Sequence, residues 1–193
     1  ECRLSLTSAG GIATTAARLA RRIIIELNHF HSPLSRMLHD TFEPGECGFG
    51  RQPIPIIHVL DRIGNDYVSI DPKKIVCVVE CNIPEEARQF KALTPTTEQM
   101  GNNVAEFLVA DMKAGRIPPQ FLPIQSGVGA TGNAVLAAMG KNHHIPSFEV
   151  YSEVVQDAAI DLIERGLVKA ASATAMTVTN EALHHVYDNI DFF

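Results

Sequence analysis

The sequence predicts an α/β chain of mostly parallel sheets with flanking helices, and three observations carry that expectation. Two runs, "IIIELN" (23–28) and "KIVCVVECN" (74–82), are apolar and rich in β-branched residues, as strands covered on both faces are. Through the second half of the chain, strand-like segments alternate with segments of helical period, the pattern that builds a parallel sheet. Between one such strand and the helix after it lies the glycine-rich turn "QSGVGATG" (125–132).

Taken in order, "GIATTAARLARR" (11–22) has alanine-rich helical composition and runs into strand 23–28, expected to be buried. A long polar stretch, roughly 29–66 with "PGECGFGRQPIP" at its centre, is the length of a functional or interfacial loop. After strand 74–82, the charged, proline-bounded "IPEEARQFKALTP" (83–95) reads as a linker. Thr94 as N-cap and Pro95 at the first helical position start a helix that ends near Ala114 and is stopped by Gly115. Val104, Phe107, Leu108 and Met112 are its expected apolar face. There follow strand 122–125, the glycine turn, helix 133–139 and strand 148–152. Next comes helix 154–165, with Val154/Ala158/Leu162 and Val155/Ala159/Ile163 each stepping by four and Gly166 as its stop. "KAASATAMTV" (169–178) reads as a last strand. Strands 23–28 and 74–81 are expected in one sheet, and 122–125 and 148–152 in another.

The 193 residues carry a net charge of −6, and the sixteen lysines and arginines form no stripe, so no nucleic-acid partner is expected. No apolar run approaches a membrane span and no leader pattern opens the chain, so the expected location is cytoplasmic, with no membrane partner. Cys77 and Cys81, four apart in a strand, share a face and read as core thiols in a reducing compartment; with Cys2 and Cys47 they lack disulfide or zinc spacing. The pairs His143-His144 and His184-His185 read as solvated, because adjacent residues face different ways. His29, His31, His39 and Asp40 fall in the long loop and read as interfacial rather than as metal ligands. Asp61-Arg62 reads as an ion pair or turn, and Asp157 and Asp161 as a solvated helix face. Chain ends at Glu1 and at Phe193, the latter in mid-pattern, point to a piece of something longer.

The turn offers backbone N–H groups at a helix N-terminus, a setting for anions. That physics is shared by nicotinamides, flavins, nucleotides and coenzyme A, and a tight turn needing glycine only for packing fits as well. Gly127, Gly129 and Gly132 spell G-x-G-x-x-G, and Glu149 or Glu153 stands where a dinucleotide site needs an acid. An NAD-type oxidoreductase domain is therefore one reading, and a non-catalytic interaction fragment another. Glu153, in "YSEVVQD" (151–157), is expected where strand 148–152 meets the next helix, its carboxylate held as an anion by helix-end N–H groups. So placed beside an anion-binding turn, it has the character of a nucleophile.

"IPPQFLPIQSGVGATGNAVLAAM" (117–139), "YSEVVQDAAIDLIERG" (151–166) and "ASATA" (171–175) together resemble the acetyl-CoA hydrolase/transferase family. "RIIIELN" (22–28) and "DRIGNDYVSIDPKKIVCVVECNIP" (61–84) extend the resemblance over most of the chain. It implies a CoA-transferase-like fold of NagB/RpiA type, with residues 1–88 ending a first domain and 89–193 starting a second that carries the catalytic glutamate. The implied activity moves CoA between an acyl-CoA and a small carboxylic acid of the acetate, succinate or propionate class, or hydrolyses the acyl-CoA. The implied site is Glu153 as nucleophile, passing through an acyl-glutamyl anhydride and a glutamyl-CoA thioester. Gln125, Ser126, Gly127, Val128, Gly129 and Asn133 border the CoA thioester. No metal and no permanently bound cofactor are implied; CoA is substrate, and a homodimer is compatible with the resemblance. Ala130 and Gly132 depart from the family's usual residues, so Gly132 completes the dinucleotide-like spacing by a single change. The family's later site motifs would lie past Phe193.

Overall fold

A computed structural model describes residues 2–45, 48, 51–86 and 92–193. The chain divides into two compact units, Glu1–Glu86 with Leu183–Phe193, and Ala87–Ala182. The anticipated domain division at 88/89, the middle of the expected linker and Cys47 lie outside the described residues.

In the first unit, β1 (Cys2–Leu4) precedes α1 (Ala13–Leu19) and β2 (Ile23–Asn28). β3 (Val68–Ile70) pairs antiparallel with β1, and β4 (Ile75–Cys81) pairs parallel with β2. α1 ends earlier than the composition implies, because Ala20 is already extended and the Lys74 ammonium takes the carbonyls of Ala17 and Arg18 at 3.2 and 2.7 Å. A cation at those orphan carbonyls is a favourable stop. The long loop is held locally. Asp40 accepts the N–H groups of Ile63 and Gly64, and Thr41 bridges Asn65. Asp61 makes a turn rather than a pair with Arg62. It accepts the N–H groups of Ile57 and His58, which hold its carboxyl below the usual carboxylate range, while Arg62 donates to the His39 carbonyl.

Two expectations for this unit change. The strands written as buried are open: Ile24 is 66% and Val76 58% exposed, and Val76 through Glu80 are exposed without a break. Their β-branched composition encodes a sheet covered on both faces, whereas among the described residues β4 is open on both faces from Val76 to Glu80 and β2 is only partly covered. Cys77 is accordingly exposed and Cys81 partly so, rather than core thiols. His31, read from the sequence as an interfacial loop histidine, has a side chain only 6% exposed, with Nδ1 2.9 Å from the Tyr187 hydroxyl and Nε2 3.6 Å from Glu85. Tyr187 belongs to α5 (Asn180–Asp188), an element the sequence reading did not anticipate.

The second unit opens with α2 (Pro95–Lys113). Thr94 caps it, Thr97 completes a reciprocal capping box, and Gly115 follows at φ +72°, as the start and stop residues dictate. Its buried stripe is Gly101, Ala105 and Val109, not the larger apolar face; Phe107 is 62% exposed. The reason is a close helix crossing: the Gly101 backbone lies against the Ala134 carbonyl of α3 (Ala130–Lys141), leaving no room for a Cβ. β5 (Phe148–Val155), α4 (Asp157–Glu164) and β6 (Val168–Met176) follow. β5 and β6 pair in parallel, and the expected strand 122–125 reduces to one parallel bridge, Ile124 to Val150, on the other edge of β5. The four anticipated strands thus fall in two sheets. Val150, Leu136, Leu162 and Val168 form the core of this unit.

Candidate active site

β5 is bonded on both edges, to β6 and to the Ile124 segment, with all three running the same way. The turn after Ile124 and the end of β5 therefore open at the same carboxyl edge, where ligands of such sheets bind. Along β5 the pleat sends Val150, Ser152 and Val154 inward and leaves Tyr151 and Glu153 exposed.

Glu153 is consequently not a helix cap. It lies inside β5, and α4 begins at Asp157 with Gln156 as its N-cap. Val154 and Val155 fit a helical step of four, but both are β-branched and continue the strand for two more residues. The Glu153 carboxylate is thus not on a helix-cap residue; its exposure leaves it accessible, and its backbone carbonyl is fixed by the Thr174 hydroxyl at 2.7 Å. Asp157 is likewise more than a solvated residue: it takes the Thr179 N–H and hydroxyl, at 3.1 and 2.6 Å. Asp161 pairs with Arg165 on the helix surface.

The glycine turn is stitched to β5 by two side chains that sequence reasoning missed. Ser152 Oγ accepts the Ser126 N–H at 3.2 Å and donates to the Ser126 carbonyl at 3.0 Å. Gln156 Oε1 accepts the Gly129 N–H at 3.3 Å, and Nε2 donates to the Gly127 carbonyl at 3.1 Å. The signal was an amide that, with its neighbour Asp157, interrupts an otherwise apolar stretch, "VVQDAAI". Such a residue, once buried, must find partners.

Gly129 is the N-cap of α3 at φ 134°, ψ 175°, a region only glycine occupies readily. Gly132 is required by packing, since a Cβ there would sit 2.5 Å from the Gly127 carbonyl oxygen. Gly127 has open space where its Cβ would be. Gln125 and Val128 are exposed, and Asn133 has a buried Oδ1 without a hydrogen-bond partner among the described residues. Ser126, Gly127 and Gly129 are thus joined to the end of β5. Among the described residues Gln125, Val128 and the Asn133 side chain make no hydrogen bond to it. Glu149, the other candidate acid, is the second residue of β5, well before its carboxyl end. The paired histidines 143–144 and 184–185 are exposed. Among the described residues no group of three His, Cys, Asp or Glu is placed to hold a metal, and no helix is long and apolar enough to cross a membrane.

The parallel strands, their flanking helices and the glycine turn make an α/β fold that is shared with solved structures. The structure superposes on RipA from Yersinia pestis with a TM-score of 0.60 at 19% identity, covering 96% of this chain and 35% of that one. On 4-hydroxybutyrate CoA-transferase from Porphyromonas gingivalis the score is 0.58 at 15% identity, over 94% of this chain and 38% of that one. In sequence the chain is similar to CoA-transferases and acetyl-CoA hydrolases. It is 46% identical over 191 residues to propanoyl-CoA:succinate CoA transferase of Escherichia coli, 32% identical to acetyl-CoA hydrolase of Yarrowia lipolytica, and 31% identical to succinyl-CoA:acetate CoA-transferase of Clostridium kluyveri. Those matches cover 99%, 95% and 95% of this chain but only 39%, 34% and 34% of the relatives. No family model matches.

Proposed function

We propose that this chain supplies the nucleophile-bearing strand and the oxyanion-binding turn of an enzyme that transfers CoA between an acyl-CoA and a small carboxylic acid, or hydrolyses the acyl-CoA. The observation that carries this reading is the exposed Glu153 on a strand whose end is hydrogen-bonded, through Ser152 and Gln156, to the turn at the start of α3. Sequence similarity to enzymes named for those two reactions supports it.

In the proposed cycle, a Glu153 carboxylate oxygen attacks the acyl carbonyl and the CoA thiolate leaves, giving an acyl-glutamyl anhydride. The thiolate then attacks the glutamyl carbonyl, expelling the free acid and leaving a glutamyl-CoA thioester. An acceptor carboxylate reverses the two steps to form the new acyl-CoA. For hydrolysis, water opens the anhydride instead, releasing the acid and the carboxylate. Each attack builds negative charge on a carbonyl oxygen, which preorganised backbone N–H groups stabilise. The Val128 N–H and the first N–H groups of α3 are the donors assigned here. The open space at Gly127 suits close approach of the thioester. Neither a metal nor a bound cofactor enters these steps.

The test is Glu153→Gln in the protein carrying this chain. This change keeps the side chain's shape and removes the nucleophile. Acyl transfer and hydrolysis are expected to fall by at least about a thousandfold, while CoA binding measured by calorimetry is retained. Near wild-type turnover by this variant would overturn the reading. Tight NAD binding with no response to CoA would favour the dinucleotide reading of Gly127, Gly129 and Gly132 instead.

A further inference from the structure

We propose that Gln156 is a positioning residue whose side-chain amide fixes the orientation of the 127–128 peptide and so turns the Val128 N–H toward the reacting carbonyl. The inference rests on the reading of Glu153 as nucleophile and goes beyond it, to what holds the oxyanion donor in place.

Gln156 is 1% exposed, among the most buried side chains of the chain. A primary amide offers one acceptor oxygen and two donor hydrogens, and both ends of this one are spent on the same three-residue turn. Nε2 donates to the Gly127 carbonyl and Oε1 accepts from the Gly129 N–H. The backbone carbonyl of Gln156 also starts α4, accepting from Ala159 and Ile160 at 2.8 and 3.3 Å. One residue therefore couples the end of β5, the start of α4 and the turn before α3.

The consequence follows from peptide geometry. In a planar trans peptide the C=O and the next N–H point in opposite directions. With the Gly127 carbonyl turned toward Gln156, the Val128 N–H is turned away from it. A second contact enforces the same orientation: the Gly127 oxygen also lies against the Cβ-less face of Gly132. Among the described residues the Val128 N–H has no protein acceptor, and the Val128 side chain is exposed. Losing the amide would release the 127–128 peptide to rotate, and a donor misplaced by about an ångström can cost on the order of a hundredfold in rate.

The experiment compares Gln156→Leu and Gln156→Glu with wild type and Glu153→Gln, all in the protein carrying this chain. Gln156→Leu fills the space without either hydrogen bond. Its kcat should drop by roughly ten- to a hundredfold, with KM for acyl-CoA changed less than about threefold, because the donor acts on the transition state. Gln156→Glu has no donor when ionised but regains one donor and one acceptor when protonated. Its kcat should therefore rise toward wild type as pH falls, an ionisation the wild-type profile lacks. Amide exchange at Gly129 should speed up in Gln156→Leu. Unchanged kcat in Gln156→Leu would overturn the proposal. If that variant does not fold, a Gln156→Glu profile parallel to wild type would overturn it instead. An inactive Glu153→Gln beside wild-type Gln156 variants removes only this inference, whereas an active Glu153→Gln removes the reading beneath it.

Discussion

At the scale of single residues, the three glycines of the turn carry three different demands. Gly129 is held at a φ that side chains avoid, Gly132 gives way to a carbonyl, and Gly127 faces open space. Substitution separates them. Gly132→Ala forces a Cβ against the Gly127 oxygen, so acyl-CoA turnover should fall at least about tenfold as the turn shifts. Gly127→Ala meets nothing in this structure, so its thermal midpoint should match wild type. If turnover nevertheless falls, the lost space was substrate space. Equal turnover in Gly132→Ala and wild type would contradict the packing account. The glycine spacing was legible in the sequence because a turn writes its requirement locally. The Ser152 and Gln156 stitches were not, because their partners stand 26 to 29 residues away and no local period marks the pairing.

At the scale of elements, α2 shows how a correct helix can carry a wrong face. Thr94, Pro95 and Gly115 fix its ends by cap chemistry that a sequence displays plainly. Its buried stripe is Gly101, Ala105 and Val109, with the Gly101 backbone against Ala134 of α3, a mostly small-residue stripe that hydrophobic periodicity does not pick out. Gly101→Val should wedge the helices apart and cost about 1–3 kcal/mol of stability, as overpacking does. Val104→Ser, on the exposed side, should change stability by less than about 0.5 kcal/mol. Chemical denaturation of both variants checks this, and equal midpoints would contradict the assigned face. The β5–α4 boundary was misread for a related reason. Val154 and Val155 satisfy both periods, and only their β-branching favours strand; that shift moved Glu153 from helix cap to strand interior.

At the scale of the whole molecule, the C-terminal residues 183–193 belong to the same unit as residues 1–86, an association no local pattern reveals. His31, Glu85 and Tyr187 are grouped within it, and the Ser8 hydroxyl donates to Glu85. Burial lowers the His31 pKa below its usual value despite the opposing charge of Glu85. Folding thus favours the neutral ring, so stability is full above about pH 6.5, the unfolded value, and declines as pH falls from there to the lowered folded-state value. Burial, then the Glu85 charge, pushes the Tyr187 hydroxyl up to about 12. The unfolded phenol ionises first, near pH 10, so stability should decline as pH rises from about 10 to about 12. Denaturation midpoints across that range should show a shallower alkaline decline in Tyr187→Phe than in wild type. Identical slopes would contradict the buried protonated phenol.

The most direct test of Glu153 as the nucleophile is to catch the covalent enzyme. The protein carrying this chain is incubated with acyl-CoA, treated with borohydride, digested and analysed by mass spectrometry. A glutamyl-CoA thioester at residue 153 is expected to be reduced to the alcohol, so the peptide containing "YSEVVQD" should carry a hydroxymethyl group in place of the Glu153 carboxyl. No such change is expected without acyl-CoA or in Glu153→Gln. Active protein in which that peptide stays unmodified, or in which another carboxylate is reduced instead, would contradict the assignment.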